Sequence, residues 1–298
     1  MKSLLLVGGL FLLSLITYID RAAISSAKGA IAEDLSLSDQ SMGVVFSAFA
    51  LGYALAQVPS GWFADRCGPR LALTVVVSAW SLLTAWTGAV RGLASLLAIR
   101  FVFGVAEAGA FPGAARAFFN WLPAGQRGRA NGIIFSGARL GAALAFPVMA
   151  WLIDRFEWRA AFYLLGVPGL VWAGGWFAWF RDHPRAPVRP EAAVAAPPGH
   201  FVRVLRSGGM ALSMVQYFAS NFTNFINLSW MHPYLKEHYR LTQMEAAGYA
   251  MVPLLVGAGA QWVSGFAVDG LYRSRFRAWS RRLPAAAGFL LAPWRWLR

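Results

Sequence analysis

The chain has 298 residues, of which 58% are hydrophobic and only 13% are charged, and its formal net charge is +14. A soluble domain is less apolar and more highly charged, so this composition excludes a soluble globular protein and predicts an all-α integral membrane protein. The arginines are distributed between the apolar stretches and do not form one basic face, which argues against a nucleic-acid partner.

Apolar stretches long enough to cross a lipid bilayer recur along the chain, because a spanning helix needs roughly 20 such residues. The predicted spans are residues 3–32, 41–63, 71–91, 94–119, 129–153, 159–180, 209–230 and 247–268, followed by the start of a ninth. The segment after the sixth span is rich in proline, which is typical of a linker between two helical bundles. We therefore expect an N-terminal six-helix transmembrane bundle over residues 1–180, a cytoplasmic linker over 181–207 and an incomplete C-terminal bundle over 208–298.

Basic side chains concentrate on one side of these spans. With the N-terminus in the cytoplasm, the cytoplasmic loops contain Arg66, Arg70, Arg127, Arg129, Arg181, Arg185, Arg189, Arg203, Arg206, Arg273, Arg275, Arg277, Arg281 and Arg282. On the opposite side, Lys28 is accompanied by acidic residues. This asymmetry predicts a multi-pass membrane protein with a cytoplasmic N-terminus. The frequent alanine, arginine and glycine residues are typical of a bacterium with GC-rich codons, so we expect a bacterial inner membrane.

One short pattern occurs twice. Gly61-Trp62-Phe63-Ala64-Asp65, at the end of the second span, recurs in form as Gly265-Phe266-Ala267-Val268-Asp269, 204 residues later. Repeats of this kind are typical of transporters built from two related halves. Two copies of such a period need roughly 400 residues, so we expect spans nine to twelve to be absent or reduced to a stub, and the chain to be C-terminally truncated.

The most specific motif is Gly61-x-x-x-Asp65-Arg66-x-Gly68-x-Arg70, between the second and third spans. Its glycines permit close packing and a tight turn, and its arginines hold the loop in the cytoplasm. An ordinary positive-inside turn is the alternative. The motif resembles the signature loop of the major facilitator superfamily, which stabilises one access state by contacting the opposite bundle. The resemblance implies a gating role for Gly61, Asp65, Arg66, Gly68, Arg70 and, in the second copy, Asp269.

Two further stretches narrow the resemblance. Tyr18-Ile19-Asp20-Arg21 and Arg100-x-x-x-Gly104-x-x-Glu107-Ala108-Gly109-Ala110-Phe111-Pro112 are similar to segments of the anion:cation symporter family. That family includes bacterial uptake systems for sugar acids and other carboxylates, and animal transporters of organic anions. The resemblance covers residues 1 to about 270. It implies a central cavity lined by spans one, four, seven and a tenth.

Charged residues stand near the middle of two predicted spans. A charge at the bilayer centre costs roughly 2.5–3.5 kcal/mol on insertion scales, so Asp20 and Glu107 are functional candidates. Burial favours a neutral carboxyl, and an acid in a closing cavity can bind a proton on one side and release it on the other. We interpret these two acids as the proton-coupling sites. The alternative for each is a structural ion pair.

Arginines accompany both acids. Arg21 is adjacent to Asp20, and Arg100 lies seven residues before Glu107, which places it on the same helix face, where it can offset the charge of Glu107 or hold an anion. We interpret Arg21 and Arg100 as substrate-binding residues; snorkelling structural arginines are the alternative.

Polar side chains in two other spans complete the predicted site. Tyr53 can donate a hydroxyl to a carboxylate or a sugar, with an ordinary packed aromatic as the alternative. Asn221 and Asn224 belong to a helix rich in amides, which indicates a hydrophilic cavity wall. We assign both asparagines to substrate binding, although plain helix–helix hydrogen bonding explains them equally well.

The sequence contains no phosphate-binding glycine loop, no cluster of metal ligands among its four histidines and no nucleophile–base pattern, so we expect no cofactor, no metal and no enzymatic activity. The predicted function is proton-coupled symport of a small organic anion, such as a hexuronate, glucarate or galactonate, by alternating access. An aromatic or dicarboxylic acid transporter of the same family and a non-transporting fragment are the alternatives. The expected partners are this anion, protons and the lipid bilayer, and we expect a monomer.

Overall fold

The computed structural model describes residues 2–182, 203, 206–272, 274–276, 279–280 and 282–291. The predicted linker lies mostly outside the described residues, as do several arginines of the cytoplasmic loops. The described part contains no β-strand, which confirms the all-α prediction. Its helices are α1 (Lys2–Ser26), α2 (Lys28–Asp34), α3 (Asp39–Thr87), α4 (Leu93–Glu107), α5 (Ala110–Trp121), α6 (Ala124–Trp179), α7 (Gly208–His238), α8 (Gln243–Tyr272) and α9 (Arg282–Leu291).

Two of the predicted loops are breaks within long helices. α3 is interrupted at Gly68, whose φ of 77° is open to glycine at little cost and which directly precedes Pro69. A Cβ at Gly68 would also lie 2.8 Å from the carboxylate of Asp182, so the position excludes a larger residue. α6 is interrupted at Glu157, where φ is 66° and ψ is 163°. These breaks separate the second from the third predicted span and the fifth from the sixth.

Two predicted spans are not single helices. The first divides into α1 and α2 at Ala27. The fourth divides into α4 and α5 at a turn formed by Ala108 and Gly109. A Cβ at Gly109 would lie 2.6 Å from Cγ2 of Val76, so glycine here permits the close approach of this turn to α3.

Four helical segments in the described ranges are long and apolar enough to cross a membrane. They are Ser3–Ser26, Asp39–Thr87, Leu93–Trp121 and Gln126–Trp179. The second has 49 residues and the fourth 54, more than twice the roughly 20 that one crossing needs, so each can supply two crossings on either side of its break. The total number of crossings stays a prediction.

The core forms where α1 and α6 pack together and α3 packs on α4, α5 and α6. Its largest fully buried side chains include Trp80, Phe103 and Phe118. Many large apolar side chains, such as Leu55, Trp86 and Val171, are instead exposed on the outer faces of the helices. Exposed apolar faces around a packed interior are what a lipid-facing bundle requires. α1 and α4 take part in this packing, and the four charged residues of the predicted site that they carry are buried in it.

Candidate substrate and proton site

The four charged residues of the predicted site are buried close together. Asp20 and Arg21 belong to α1, and Arg100 and Glu107 to α4. Their exposed fractions are 2%, 7%, 2% and 0%. Charged groups are rarely buried this deeply unless they are paired or functional. We call these four residues the charge cluster.

Arg21 makes the ion pair of the charge cluster. Its Nε donates to Oε1 of Glu107 at 3.2 Å, and its Nη2 lies 3.1 Å from the same oxygen. The rings of Tyr18 and Tyr53 lie 4.6 Å from the guanidinium carbon, so aromatic faces cover the cation on both sides. The direct partner of Glu107 is therefore Arg21 and not Arg100, which helical spacing had placed on the same face.

Arg100 has a different environment. It forms no ion pair with any described residue, and its Nε has no hydrogen-bond partner there. Its guanidinium carbon lies 4.5 Å from the centre of the Phe103 ring and 5.0 Å from that of Phe49. Glu107 and Asp20 act on the charge of Arg100 but form no ion pair with it, so its Nε remains available as a donor to an anion.

Asp20 is held by an aromatic side chain and not by a cation. Nε1 of Trp80 donates to its Oδ2 at 3.2 Å. Its other oxygen, Oδ1, is buried without a hydrogen-bond partner among the described residues, as is Oε2 of Glu107. Each acid of the charge cluster thus has one free oxygen, which is where a proton can bind.

A small cavity adjoins the two arginines. Its volume is about 10 Å³, room for about one water molecule. Its lining includes Arg21, Ser25, Phe49, Arg100, Phe225 and Ser229. The first four residues belong to α1, α3 and α4, and the last two belong to α7, so the cavity lies between the N-terminal helices and α7.

The remaining predicted ligands have different outcomes. Tyr53 is half-buried and lies over Arg21, so it belongs to the neighbourhood of the charge cluster. Asn221 is half-buried and donates to the carbonyl of Tyr217 in its own helix. The described lining of the cavity includes neither Asn221 nor Asn224; α7 contributes Phe225, Leu228 and Ser229 instead.

The signature loop packs against the ends of α5 and α6. Asp65 lies 3.6 Å from the guanidinium of Arg116, and the backbone N–H of Arg70 donates to Asp182 at 2.8 Å. Arg70 also donates from Nη2 to the carbonyl of Phe177 at 2.7 Å. The guanidinium carbon of Arg66 lies over the ring of Trp62, at 4.6 Å. The equivalent acid of the second copy, Asp269, lies in α8, and its side chain is outside the described residues.

A second set of polar contacts lies beyond the C-terminal end of α1, at the start of α2. Lys28 of α2, 2% exposed, lies 2.6 Å from Asp39 and 2.5 Å from Glu237 of α7. Burial lowers the pKa of Lys28, but the two carboxylates outweigh it and raise the pKa above its ordinary value of 10.5. We call Lys28, Asp39 and Glu237 the Lys28 latch.

Backbone contacts accompany the latch. The hydroxyl of Ser25 donates to the carbonyl of Ser229 at 2.7 Å. The amide of Gln243, at the start of α8, donates to the carbonyl of Ser26 at 2.8 Å. α7 and α8 are therefore tied to α1 and α2 at this end of the molecule.

Sequence reasoning missed Trp80, Phe49 and Phe225. Trp80 lies in the middle of the third predicted span, whereas interfacial tryptophans lie at span ends, and this position was a usable signal. The two phenylalanines carried none, because a phenylalanine inside an apolar span is ordinary. Packing between helices distant in sequence selects them.

These features define a multi-pass α-helical membrane protein with buried acids and arginines and a small cavity that the two arginines border. The chain belongs to the Major Facilitator Superfamily, whose family model matches residues 10–297. This finding confirms the superfamily inferred from the signature loop.

Named relatives agree with this assignment. A probable sulfoacetate transporter of Cupriavidus necator is 35% identical over 285 residues, and the hexuronate transporter of Bacillus subtilis is 32% identical over 273 residues. Each alignment covers 90% of this chain and 65% of the relative, so the chain spans about two-thirds of their length. The D-galactonate transporter of Escherichia coli is 30% identical, with 95% of this chain and 71% of the relative covered.

Solved structures share the fold. A bacterial homologue of the human lysosomal transporter Spinster, in an inward-facing and occupied conformation, superposes with a TM-score of 0.72 at 25% identity, covering 92% of this chain and 63% of that one. A D-xylose–proton symporter gives a TM-score of 0.66 at 14% identity, covering 89% of this chain and 68% of that one, and supports the fold alone.

Proposed function

We propose that this chain forms the substrate path of a secondary active transporter, which moves a small organic anion together with protons by alternating access. The observation that carries the proposal is the charge cluster, in which a buried arginine without an ion pair lies close to two buried acids, each with a free oxygen. Such a cluster is expensive to bury and has the parts that anion binding and proton binding require.

Arg100 is the proposed anion anchor. A guanidinium binds a planar carboxylate through two parallel hydrogen bonds, and the Nε of Arg100 is a buried donor without a partner among the described residues. It borders the cavity, so an anion that enters when the cavity widens can contact it without displacing an ion pair. Binding then neutralises a cation that the described residues leave without a carboxylate.

Arg21 and Glu107 supply the proposed coupling. While Glu107 is ionised, it holds Arg21 in an ion pair. A proton on Glu107 weakens that pair and releases Arg21 toward the cavity that it already lines, where it becomes a second cation for the anion. Proton binding and anion binding therefore favour each other. Asp20 is the second proposed proton site, and its carboxyl is fixed by Trp80.

The proposed substrate is a sugar acid such as a hexuronate or galactonate, because relatives that align over most of this chain are named for these substrates. Tyr53 is the proposed hydroxyl ligand on the N-terminal side, and Asn221 and Asn224 are its counterparts on α7. The C. necator relative named for sulfoacetate supports a second candidate, a short sulfonate, because a guanidinium binds sulfonate and carboxylate by the same geometry.

Alternating access needs an end that closes. The Lys28 latch and the two serine and glutamine contacts join the N-terminal helices to α7 and α8 at one end. We assign this end to the outer face of a bacterial inner membrane, which leaves the N-terminus and the signature loop in the cytoplasm. The likeness to an inward-facing structure supports a state closed on the latch side. We also propose that residues 1–180 and 208–298 form two bundles and that the protein is a monomer.

Counterflow in proteoliposomes tests the function. The purified chain is reconstituted into vesicles that are loaded with an unlabelled anion. Entry of the same anion in labelled form is then measured for D-galactonate, glucuronate, sulfoacetate, a dicarboxylate and an aromatic acid. We expect exchange of the two sugar acids to exceed that of the others. Preference for sulfoacetate would move the substrate to the second candidate. Absence of exchange for every anion, with the protein folded in the vesicles, would contradict the proposal and favour a non-transporting chain.

A further inference from the structure

Trp80 makes the two oxygens of the Asp20 carboxyl unequal. Its side chain is fully buried inside the membrane-spanning part of α3. Its indole N–H donates to Oδ2 of Asp20, whereas Oδ1 is buried without a hydrogen-bond partner in the described part of the chain. One oxygen is thus occupied by a donor and the other is free to receive a proton.

The chemistry of the indole decides what each oxygen can do. An indole N–H only donates, so Oδ2 has to act as an acceptor whether Asp20 is charged or neutral. A proton on Oδ2 would turn two donors toward each other and leave the indole N–H without an acceptor in an apolar interior, which is unfavourable. The proton of the neutral acid therefore belongs on Oδ1.

Close helix packing beside Trp80 supports its position. A Cβ at Gly166 would lie 2.6 Å from the backbone oxygen of Ser81, the residue after Trp80, and one at Gly169 would overlap the Oγ of Ser81. These two glycines, three residues apart on α6, let that helix approach α3 beside the indole. The hydrogen bond to Asp20 is therefore supported by backbone packing on α6 as well as by the indole itself.

We propose that Trp80 is a positioning residue for proton transfer, which holds Oδ2 of Asp20 as an acceptor and so directs the transferred proton to Oδ1. This inference rests on the proposed role of Asp20 as a proton site and adds the atom that receives the proton. The charged groups that act on Asp20 are Glu107 and Arg100 of α4, and the hydroxyl of Thr84 on α3 also interacts with its carboxyl. Trp80 carries no charge, so its replacement leaves these electrostatic interactions unchanged.

Infrared titration of the full chain in lipid vesicles tests the proposal without a transport assay. The C=O stretch of a protonated Asp20 is identified by its loss in Asp20→Asn. With the proton on Oδ1, the carbonyl oxygen is Oδ2, and its hydrogen bond from Trp80 lowers the stretching frequency. Trp80→Phe removes that donor and should raise the frequency. Because the charged carboxylate also loses a donor, the band should persist to a pH about one unit higher.

Trp176→Phe is the matched control. Trp176 is also a buried tryptophan, but its indole N–H donates to the carbonyl of Pro69, at 3.3 Å, and not to an acid. Its replacement should leave the frequency and the titration of the Asp20 band unchanged. A second probe avoids any change of shape: 3-benzothienylalanine at position 80 keeps the volume of tryptophan and replaces the N–H with sulfur.

The outcomes separate the inference from the proposed function. If no band disappears in Asp20→Asn across the accessible pH range, Asp20 does not take up a proton. The proposed proton site at Asp20 and the positioning role of Trp80 are then both wrong. If the band exists but keeps its frequency and titration in Trp80→Phe and in the benzothienyl protein, the positioning role of Trp80 is overturned while the proton site stands. If Trp80→Phe does not fold, the benzothienyl protein decides between these results.

Discussion

Lys28 and Arg100 are two buried cations with opposite surroundings. Each is 2% exposed, yet Lys28 lies against two carboxylates, whereas Arg100 lies against two aromatic rings and no carboxylate of the described chain. Lys28 joins α2 to α3 and α7 through its two carboxylates, whereas Arg100 borders the cavity. Lys28 therefore stabilises contacts between helices, whereas Arg100 is the residue that we propose binds the anion.

The comparison also explains why the two cations differ in residue type. A lysine is a compact point charge that suits two carboxylates approaching from different directions, as Asp39 and Glu237 do. An arginine offers a planar fork that matches one carboxylate through two hydrogen bonds, which is what an anion site needs. Changes at the two positions should therefore have different consequences.

The largest effect is expected from the acids that accompany Arg100. Glu107→Gln and Asp20→Asn each remove a proposed proton site and should abolish pH-driven accumulation of D-galactonate in proteoliposomes while counterflow continues. Glu33→Gln, which alters an exposed acid of α2, is the control and should accumulate normally. Normal accumulation in the Glu107 and Asp20 variants would remove them from the coupling mechanism.

The next effect concerns Arg100 itself. Arg100→Gln removes the proposed anchor and should weaken D-galactonate binding at least about thirtyfold, because truncating one partner of a buried charged hydrogen bond costs roughly 2–5 kcal/mol. Binding is measured by calorimetry on the purified protein. Arg127→Gln, which changes an arginine bonded to the carbonyl of Leu122 at the end of α5, is the matched control. Equal affinity in the two variants would exclude Arg100 as the anchor.

Breaking the Lys28 latch should change conformation more than binding. Lys28→Gln should increase the population open at that end about fivefold, since ion pairs with exposed carboxylates contribute about 1 kcal/mol. Spin-label distances between α2 and α7 measure it. Lys236→Gln, beside Glu237 but without an ion pair in the described part of the chain, is the control. Identical distance distributions in the unaltered protein, Lys28→Gln and Lys236→Gln would exclude a latch at Lys28.

The same contact has a defined pH dependence. The pKa of Lys28 is raised by its carboxylates, so its stabilising contribution is complete below its ordinary pKa of 10.5 and is lost only as the pH rises through the raised value. Lys28 should therefore remain protonated between neutral pH and pH 10, and the population closed at the latch end should not change over that range. An opening with alkaline midpoint well below 10.5 that disappears in Lys28→Gln would contradict this assignment.

The smallest effect is expected at Tyr53. Tyr53→Phe keeps the ring over Arg21 and removes only the hydroxyl, so D-galactonate affinity should fall about fivefold, the equivalent of one hydrogen bond of roughly 1 kcal/mol. pH-driven accumulation should persist at saturating substrate. An unchanged affinity would limit Tyr53 to packing against Arg21.

The sequence predicted the helical membrane fold and the deep burial of its central charges because both follow from composition and span position. It also marked the break at Gly68, where glycine precedes proline. The break at Glu157 carries no comparable residue, and the division of the first and fourth predicted spans into two helices each depends on packing. Local sequence does not record the neighbours that stabilise such interruptions.

Pairings across helices were the part that sequence could not supply. Helical spacing brought Arg100 and Glu107 to one face, yet Arg21 is the partner that reaches Glu107, 86 residues away. In the same way, Trp80 reaches Asp20 across 60 residues, and Lys28 reaches Glu237 across 209. These pairings depend on how α1 packs on α3 and α4 and on how α2 meets α7, which is a property of the whole bundle.

Proton uptake on anion binding is the most direct test of the central claim, that the charge cluster couples the two ligands. D-galactonate is added to the purified protein in weakly buffered detergent solution containing a pH indicator. We expect the unaltered protein to take up protons from solution when it binds D-galactonate. The Glu107→Gln variant should still bind the anion but take up fewer protons. Binding of the anion by the unaltered protein with no proton uptake across the titrated pH range would contradict it.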